Sequence, residues 1–221
     1  MLILAADTSG KHGSIALAQA DSGGAYNVLE VVPLAGGTFS AQLIPQLAAL
    51  LSKHGFSKHD IAAFAVASGP GSFTGLRVGL AAIKALAEVL SKPITTVSVL
   101  AAVAAAGRSQ GRVLAALDAG RSEVYAGEYD IGDRVTMISE SLLPLEEFLS
   151  LPASSVITPD AGIAQAARNA DRLVEEIERP RSDAIARLGW KKILSGEIVS
   201  PEALEANYIR RTDAEIFAKS L

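Results

Sequence analysis

Cysteine is absent from all 221 residues, which excludes disulfides, thiolate catalysis and cysteine-ligated zinc and suits a reducing compartment. Histidine is scarce. His12, His54 and His59 form neither H-x-x-x-H nor H-E-x-x-H, so no helical pair has metal-ligand spacing, and no metal site is expected. Basic charge is short as well: 20 Lys and Arg stand against 24 Asp and Glu, a net charge of −4. A protein that gripped nucleic acid by itself would show a basic face, so nucleic acid is expected to be reached only through a partner. No apolar run approaches the roughly 18 residues of a membrane span, and the Ala/Val-rich stretch from Val97 to Gly107 is about half that length. Met1-Leu-Ile-Leu-Ala-Ala6 lacks the basic flank of a signal peptide, and a cytoplasmic protein is the expectation. No G-x-S-x-G elbow is present, and no catalytic residue is assigned.

What remains is a packed α/β globule. Apolar residues make up 49% and charged residues 20%, the composition of a well-packed domain, and the length allows one large domain or two small lobes. Leu2–Ala6, Gly13–Ala18 and Tyr26–Val32 read as strands between Asp-Thr-Ser-Gly and Asp-Ser-Gly-Gly turns. A helix over Ser40–His54, a strand at Ile61–Ala67, a helix over Phe73–Leu90 and a strand at Ile94–Val97 come next. The order β-β-β-α-β-α-β is that of a ribonuclease H-like lobe. After an alanine-rich helix at Val99–Ala106 come strands at Val113–Leu117, Glu123–Tyr129, Arg134–Ile138 and Ser155–Thr158, then helices at Ala161–Asn169 and Ser182–Leu194. This second half reads as a reduced copy. The expected division is 1–98 for the first lobe and 99–221 for the second, with the last segment packing back on the first.

The most specific string is Ser68-Gly-Pro-Gly-Ser-Phe-Thr-Gly-Leu-Arg-Val-Gly-Leu80, a strand end, a tight turn and a helix start. Gly69 and Gly71 open backbone angles closed to other residues, and Pro70 fixes the one between. Ser72 is a candidate N-cap, beside the free N–H groups of the first turn. Two readings stand together: a well-capped turn, or an anion site at a helix N-terminus. The string is not a Walker loop, since no Gly-Lys-Ser/Thr comes after it, nor a dinucleotide fingerprint, which needs G-x-G-x-x-G after the first strand. Asp7-Thr8-Ser9 stands where a nucleotide-binding fold of this type would place a phosphate loop, with Asp7 orienting a magnesium-bound water and Thr8 and Ser9 donating to phosphate. Its plainer reading is a turn that satisfies its own backbone. A second nucleotide loop would fall at Val156–Gly162, where Pro159 lacks an N–H and Asp160 brings negative charge, so a standard ATP cleft looks degraded.

From Thr74 to Leu90 only Arg77, Lys84 and Glu88 are charged, in a stripe about 40° wide. The remaining surface carries Leu76, Leu80, Ile83, Leu86 and Leu90, and leaving these in water would forgo roughly 1.5–3 kcal/mol each. Gly75 and Gly79 would let another helix approach closely. Either the helix is enclosed by its own fold, or it forms an interface with another subunit together with the Ser40–His54 helix.

Leu2-Ile-Leu-Ala-Ala-Asp-Thr8, the Ser68–Leu80 string, and Leu114-Ala-Ala-Leu-Asp118 with Glu123-Val-Tyr125 after it together resemble the TsaB (YeaZ) family, and Tyr208-Ile-Arg210 echoes its C-terminal segment. The resemblance implies an actin-like (ASKHA) fold of two ribonuclease H-like lobes. It implies a non-catalytic subunit that activates a TsaD-like transferase, which moves threonylcarbamoyl to the adenosine following the anticodon of ANN-decoding tRNAs. It further implies a homodimer when alone, a TsaE-like ATPase joining the assembly, and tRNA contact only through the complex. No cofactor of its own is implied, with ATP and magnesium confined to a partner interface. Pairing would run through the two first-lobe helices, which assigns apolar contact to Leu43, Leu47, Leu50, Leu76, Leu80, Ile83 and Leu86. Leu80→Glu would then abolish pairing while leaving the monomer folded. Asp7, Thr8, Gly69, Pro70, Gly71, Ser72, Thr74, Gly75 and Arg77 would shape a loop near the subunit boundary or contact nucleotide there. Three positions depart from the family pattern: Phe39 replaces a frequent His, Gly120 interrupts an Asp-Ala-Arg turn, and Ala206 replaces a Pro. The alternative is a small-molecule phosphotransferase using Asp7 and the Gly69 loop on ATP. A peptidase is a weaker third.

Overall fold

A computed structural model describes residues 1–21, 25–152 and 155–209; residues 22–24 of the Asp-Ser-Gly-Gly turn and Arg210 of the C-terminal echo lie outside them. The described residues divide into two compact units, Met1–Ala102 with Pro180–Ala206, and Val103–Arg179 with 207–209. The first unit therefore takes in 99–102 and 180–206 beyond the expected 1–98.

Its sheet has the order β3-β2-β1-β4-β5, built from β1 (Leu2–Asp7), β2 (Gly13–Ala20), β3 (Tyr26–Leu34), β4 (Ile61–Gly69) and β5 (Ile94–Ser98). β1, β2 and β3 form an antiparallel meander, while β4 joins β1 and β5 joins β4 in parallel. Side-chain size alternates along the strands, because successive residues point to opposite faces. Leu2, Leu4, Ile15, Leu17, Phe64 and Val66 form one face with α1 (Phe39–Lys53) and α2 (Phe73–Leu90). The other face is mostly small, with Ala5, Ala16, Ala63 and Ala65 buried beside Ile3. That smallness admits α6 (Ser182–Leu194) at close range, since a Cβ on its Gly189 would lie 2.6 Å from the Ala65 Cβ. The assignment of Ser182–Leu194 to the first unit comes from this fit, which chain order alone does not reveal. Behind α6, the Val199 N–H donates to the Ile94 carbonyl at 2.8 Å and the Thr95 hydroxyl to the Glu197 carbonyl at 2.9 Å, covering the β5 edge.

The second unit repeats the arrangement with the sheet order β10-β9-β6-β7-β8. Here β6 (Gly111–Gly120), β7 (Glu123–Ile131) and β8 (Val135–Pro144) form the meander, and β9 (Ser155–Thr158) and β10 (Val174–Glu176) add in parallel. The chain enters this unit through α3 (Val99–Ala106), and α4 (Leu145–Ser150) and α5 (Ala161–Asn169) supply its other helices. Leu114, Val124, Phe148, Val156 and Ile163 are its core. All five strand positions are present, so the reduction lies in length: β9 and α5 run 4 and 9 residues where β4 and α2 run 9 and 18. Two ribonuclease H-like sheets in one chain give the actin-like fold class. No helix among the described residues is long and apolar enough to cross a membrane.

Candidate functional site

The loop after β4 forms a seat for α2. Gly69 has φ +113, a region closed to residues with a Cβ, and the Gly69–Pro70 peptide is cis. Ser72 is the N-cap, its hydroxyl accepting from the Gly75 N–H at 3.3 Å. The Ser72 N–H in turn donates to the Ser9 carbonyl at 2.7 Å. Asp7-Thr8-Ser9 closes on this loop and on the start of α2. The Asp7 carboxylate accepts from the Ser9 N–H at 2.8 Å, an Asx turn, and the buried Thr8 hydroxyl donates to the Gly75 carbonyl at 2.7 Å. Gly75 and Gly79 face this turn: an added Cβ would stand 2.1 Å from the Thr8 carbonyl oxygen and 2.3 Å from Thr8 Oγ1. The close approach that these glycines permit is therefore to the end of β1, not to a foreign helix.

Six of the leucine and isoleucine positions assigned to partner contact are corrected by burial. Leu43, Leu47, Leu50, Leu76, Leu80 and Ile83 are 0–7% exposed and lie in the first unit's own core; Leu86 is half-buried against it. Side chains already removed from water in the protomer have no area left to bury against another. Leu80→Glu would accordingly place a carboxylate in this core and unfold the unit, contrary to the expectation of a folded, unpaired monomer.

The outer face of the helix pair is made of different residues, small apolar side chains with the charges Arg77 and Glu88 of α2 beside them. α1 exposes Ala41, Ile44, Pro45, Ala48 and Ala49, and α2 exposes Thr74, Arg77, Ala81, Ala85, Glu88 and Val89. Ile44 is 44% and Val89 78% exposed. The Arg77 guanidinium lies over the Phe73 ring, 3.6 Å from its centroid. Apolar period alone does not distinguish the two sides of α2. Size does, because large side chains go to the core while alanines cost little in water, and Ala81 and Ala85 recur at the four-residue spacing of one helix face. A cleft of about 490 Å³ opens at the N-terminal ends of α1 and α2, lined among others by Lys11, His12, Phe39, Ser72 and Thr74. Ser72, Thr74 and Arg77 are exposed, whereas Asp7, Thr8, Gly69, Pro70 and Gly75 are buried. The structure thus brings the predicted loop residues together but leaves few of them at the surface.

The family model for TsaD, tRNA N6-adenosine threonylcarbamoyltransferase, matches residues 31–201. The tRNA threonylcarbamoyladenosine biosynthesis protein TsaB of Bacillus subtilis is 30% identical, over 97% of this chain and 96% of its own. The chain belongs to the TsaB family. TsaB of Escherichia coli is 39% identical over 58% of this chain and 55% of its own length. The structure of YeaZ from Pseudomonas aeruginosa superposes with a TM-score of 0.75 at 26% identity, covering 93% of this chain and all of that one.

The three departures from the TsaB pattern each have a local role. Phe39 is buried at the start of α1, and its ring fits because Gly13 has no Cβ, which would lie 2.8 Å from Phe39 Cε1. Gly120, at φ +72, opens a turn in which Arg121 and Ser122 are also left-handed, at φ +57 and +59. Ala206 packs half-buried on the first unit's core.

Proposed function

We propose that this chain is the non-catalytic pairing and activating subunit of a TsaD-like transferase in tRNA threonylcarbamoyladenosine formation on ANN-decoding tRNAs. Membership of a family whose characterised proteins are named for that biosynthesis supports the pathway. The observation that carries the subunit role is the outer α1–α2 face. Ile44, Ala48, Ala81, Ala85 and Val89 expose apolar side chains, mostly short enough for another helix to pack closely, and Arg77 and Glu88 stand beside them for charged partner groups. Full burial of Ile44 and Val89 would contribute about 1.5–3 kcal/mol each. A second copy occupies this face when the TsaD-like subunit is absent, and a TsaE-like ATPase joins the assembled pair. The net charge of −4 supports tRNA contact through the complex. The chain has no cofactor of its own, and the partner boundary is the one place proposed for ATP and magnesium.

The phosphotransferase alternative needs the Asp7 carboxylate and Thr8 hydroxyl on magnesium and phosphate. Both groups are buried, bonded to the Ser9 N–H and the Gly75 carbonyl, which favours the subunit role. Transfer to tRNA by the TsaD-like subunit, measured with and without this chain, tests the reading. Transfer is expected only when the chain is added, and the chain alone with ATP and magnesium is expected to turn nothing over. Full transfer without it, or nucleotide turnover by it alone, contradicts the proposal.

A further inference from the structure

We infer that Thr8 is a positioning residue for the docking face: it seats α2 on the end of β1 and so fixes where Ala81 and Ala85 stand. The inference rests on the docking role proposed above and adds the residue that sets its geometry. Gly71, Gly75 and Gly79 recur every four residues, and all three meet the same turn. A Cβ at 71 would lie 2.3 Å from the Ser9 carbonyl oxygen, at 75 it would lie 2.1 Å from the Thr8 carbonyl oxygen, and at 79 it would lie 2.3 Å from Thr8 Oγ1. At the first two positions the opposing atoms are backbone, which no rotamer change can move away. The Thr8 hydroxyl then donates to the Gly75 carbonyl at 2.7 Å in a buried setting, 67 residues away in sequence. This bond holds α2 against rolling about its axis, while the glycine contacts limit how far the helix can approach the sheet.

The effect reaches the other side of the helix. Ala81 and Ala85 are exposed there, and an alanine has no rotamers with which to follow a displaced surface. An interface of small side chains depends on shape complementarity at van der Waals distance, and a gap of 0.5–1 Å forfeits roughly a quarter to a half of each contact. Pairing therefore reads the seat of α2 more sensitively than folding does.

Three variants test the role: Thr8→Val, which keeps the shape and removes the donor; Thr8→Ser, which keeps the donor; and Gly79→Ala, which pushes α2 off Oγ1. Affinity for the TsaD-like subunit is measured by calorimetry, and folding is monitored through the fluorescence of Trp190, the single tryptophan, on α6. Thr8→Val and Gly79→Ala are expected to weaken pairing about tenfold with native Trp190 emission, and Thr8→Ser to restore it to within about twofold. Wild-type affinity in Thr8→Val overturns the inference, as does failure of Thr8→Ser to restore it. If Thr8→Val does not fold, Gly79→Ala carries the test, and weakening only in proportion to its unfolded fraction counts equally against the role. A wild-type chain that does not pair at all refutes the docking reading itself, whereas pairing indifferent to these variants refutes only the part given to Thr8.

Discussion

The same turn occurs once in each unit, put to different use. In the first, Asp7 ends β1 and its carboxylate accepts from the N–H two residues on, Ser9, at 2.8 Å. In the second, Asp118 near the end of β6 accepts from the N–H two residues on, Gly120, also at 2.8 Å. Beyond that shared bond the two turns diverge. Thr8 has a hydroxyl and a glycine-lined helix to give it to, so the first turn is buried under α2. Ala119 has none, and the turn from Asp118 to Ser122 is largely exposed, with three residues at positive φ. The Asp160 carboxylate, ahead of α5, accepts from the Asp118 N–H at 2.8 Å, and the Leu145 N–H at the start of α4 donates to the Ser122 carbonyl at 3.0 Å. The same bond thus serves a helix seat in one unit and a surface hairpin in the other, and the long helix belongs to the unit with the seat.

A methyl group added at corresponding helix starts should separate the two units most strongly. Gly75→Ala meets the Thr8 carbonyl oxygen at 2.1 Å and should destabilise the first unit by about 3 kcal/mol. Gly162→Ala near the start of α5 meets nothing within 4 Å and should stabilise the second unit by about 0.5–1 kcal/mol. Urea denaturation of the two variants reads the difference, and shifts of similar size and sign would contradict the asymmetry. Next in size are the turn carboxylates. Asp7→Ala leaves the Ser9 N–H buried without its acceptor and should cost about 1–3 kcal/mol. Asp118→Ala lets water take the acceptor's place and should cost about 0.5 kcal/mol or less. Equal losses in thermal melts would show that burial does not separate the turns.

The smallest effect is one the units share. Hydrogen bonds from Lys53 and then His54 hold the Glu30 carboxyl below the ordinary glutamate range, tying α1 to β3. Burial pushes the Glu175 carboxyl up, but the Arg108 N–H, the Ser109 hydroxyl and the Ser109 N–H outweigh it and bring it below that range. Both groups are more acidic folded than unfolded. Their contribution is therefore complete above the unfolded value of about 4.3 and is lost as pH falls through the lowered folded values. Glu30→Gln should flatten the acid side of the stability profile for the first unit and leave the second unchanged. A profile unaltered in the first unit would show that Glu30 does not set its acid stability.

Much of the fold was legible because its signals are local. The run Phe73–Leu90 is bounded by Ser72 as N-cap and by Ser91 in a left-handed C-cap, and both its ends are readable in sequence. α5 and α6 also match their periodicity. The strands of the second meander run longer than their apolar cores, since pairing with a neighbour extends β8 through polar residues as far as Pro144. α4 and β10 escaped notice because 6 and 3 residues are too few to show a period. The site was legible in place but not in orientation. Periodicity marked α1 and α2 as the important helices, yet it favoured the leucines, which the protomer uses for itself. The residues left exposed are mainly alanines, with Ile44, Val89 and the charges Arg77 and Glu88, and apolar period alone does not single them out. Likewise, no local signal distinguishes a Thr8 facing phosphate from one facing Gly75, a residue 67 positions further on.

In the proposed docking, the outer face and not the leucine stripe receives the partner. Sedimentation of Ala85→Glu mixed with the TsaD-like subunit tests it most directly, because Ala85 is exposed and the substitution leaves the core intact. Docking through the outer face predicts two separate boundaries, with the thermal melt of the variant alone like that of the wild type. A single co-sedimenting complex of wild-type affinity would contradict it.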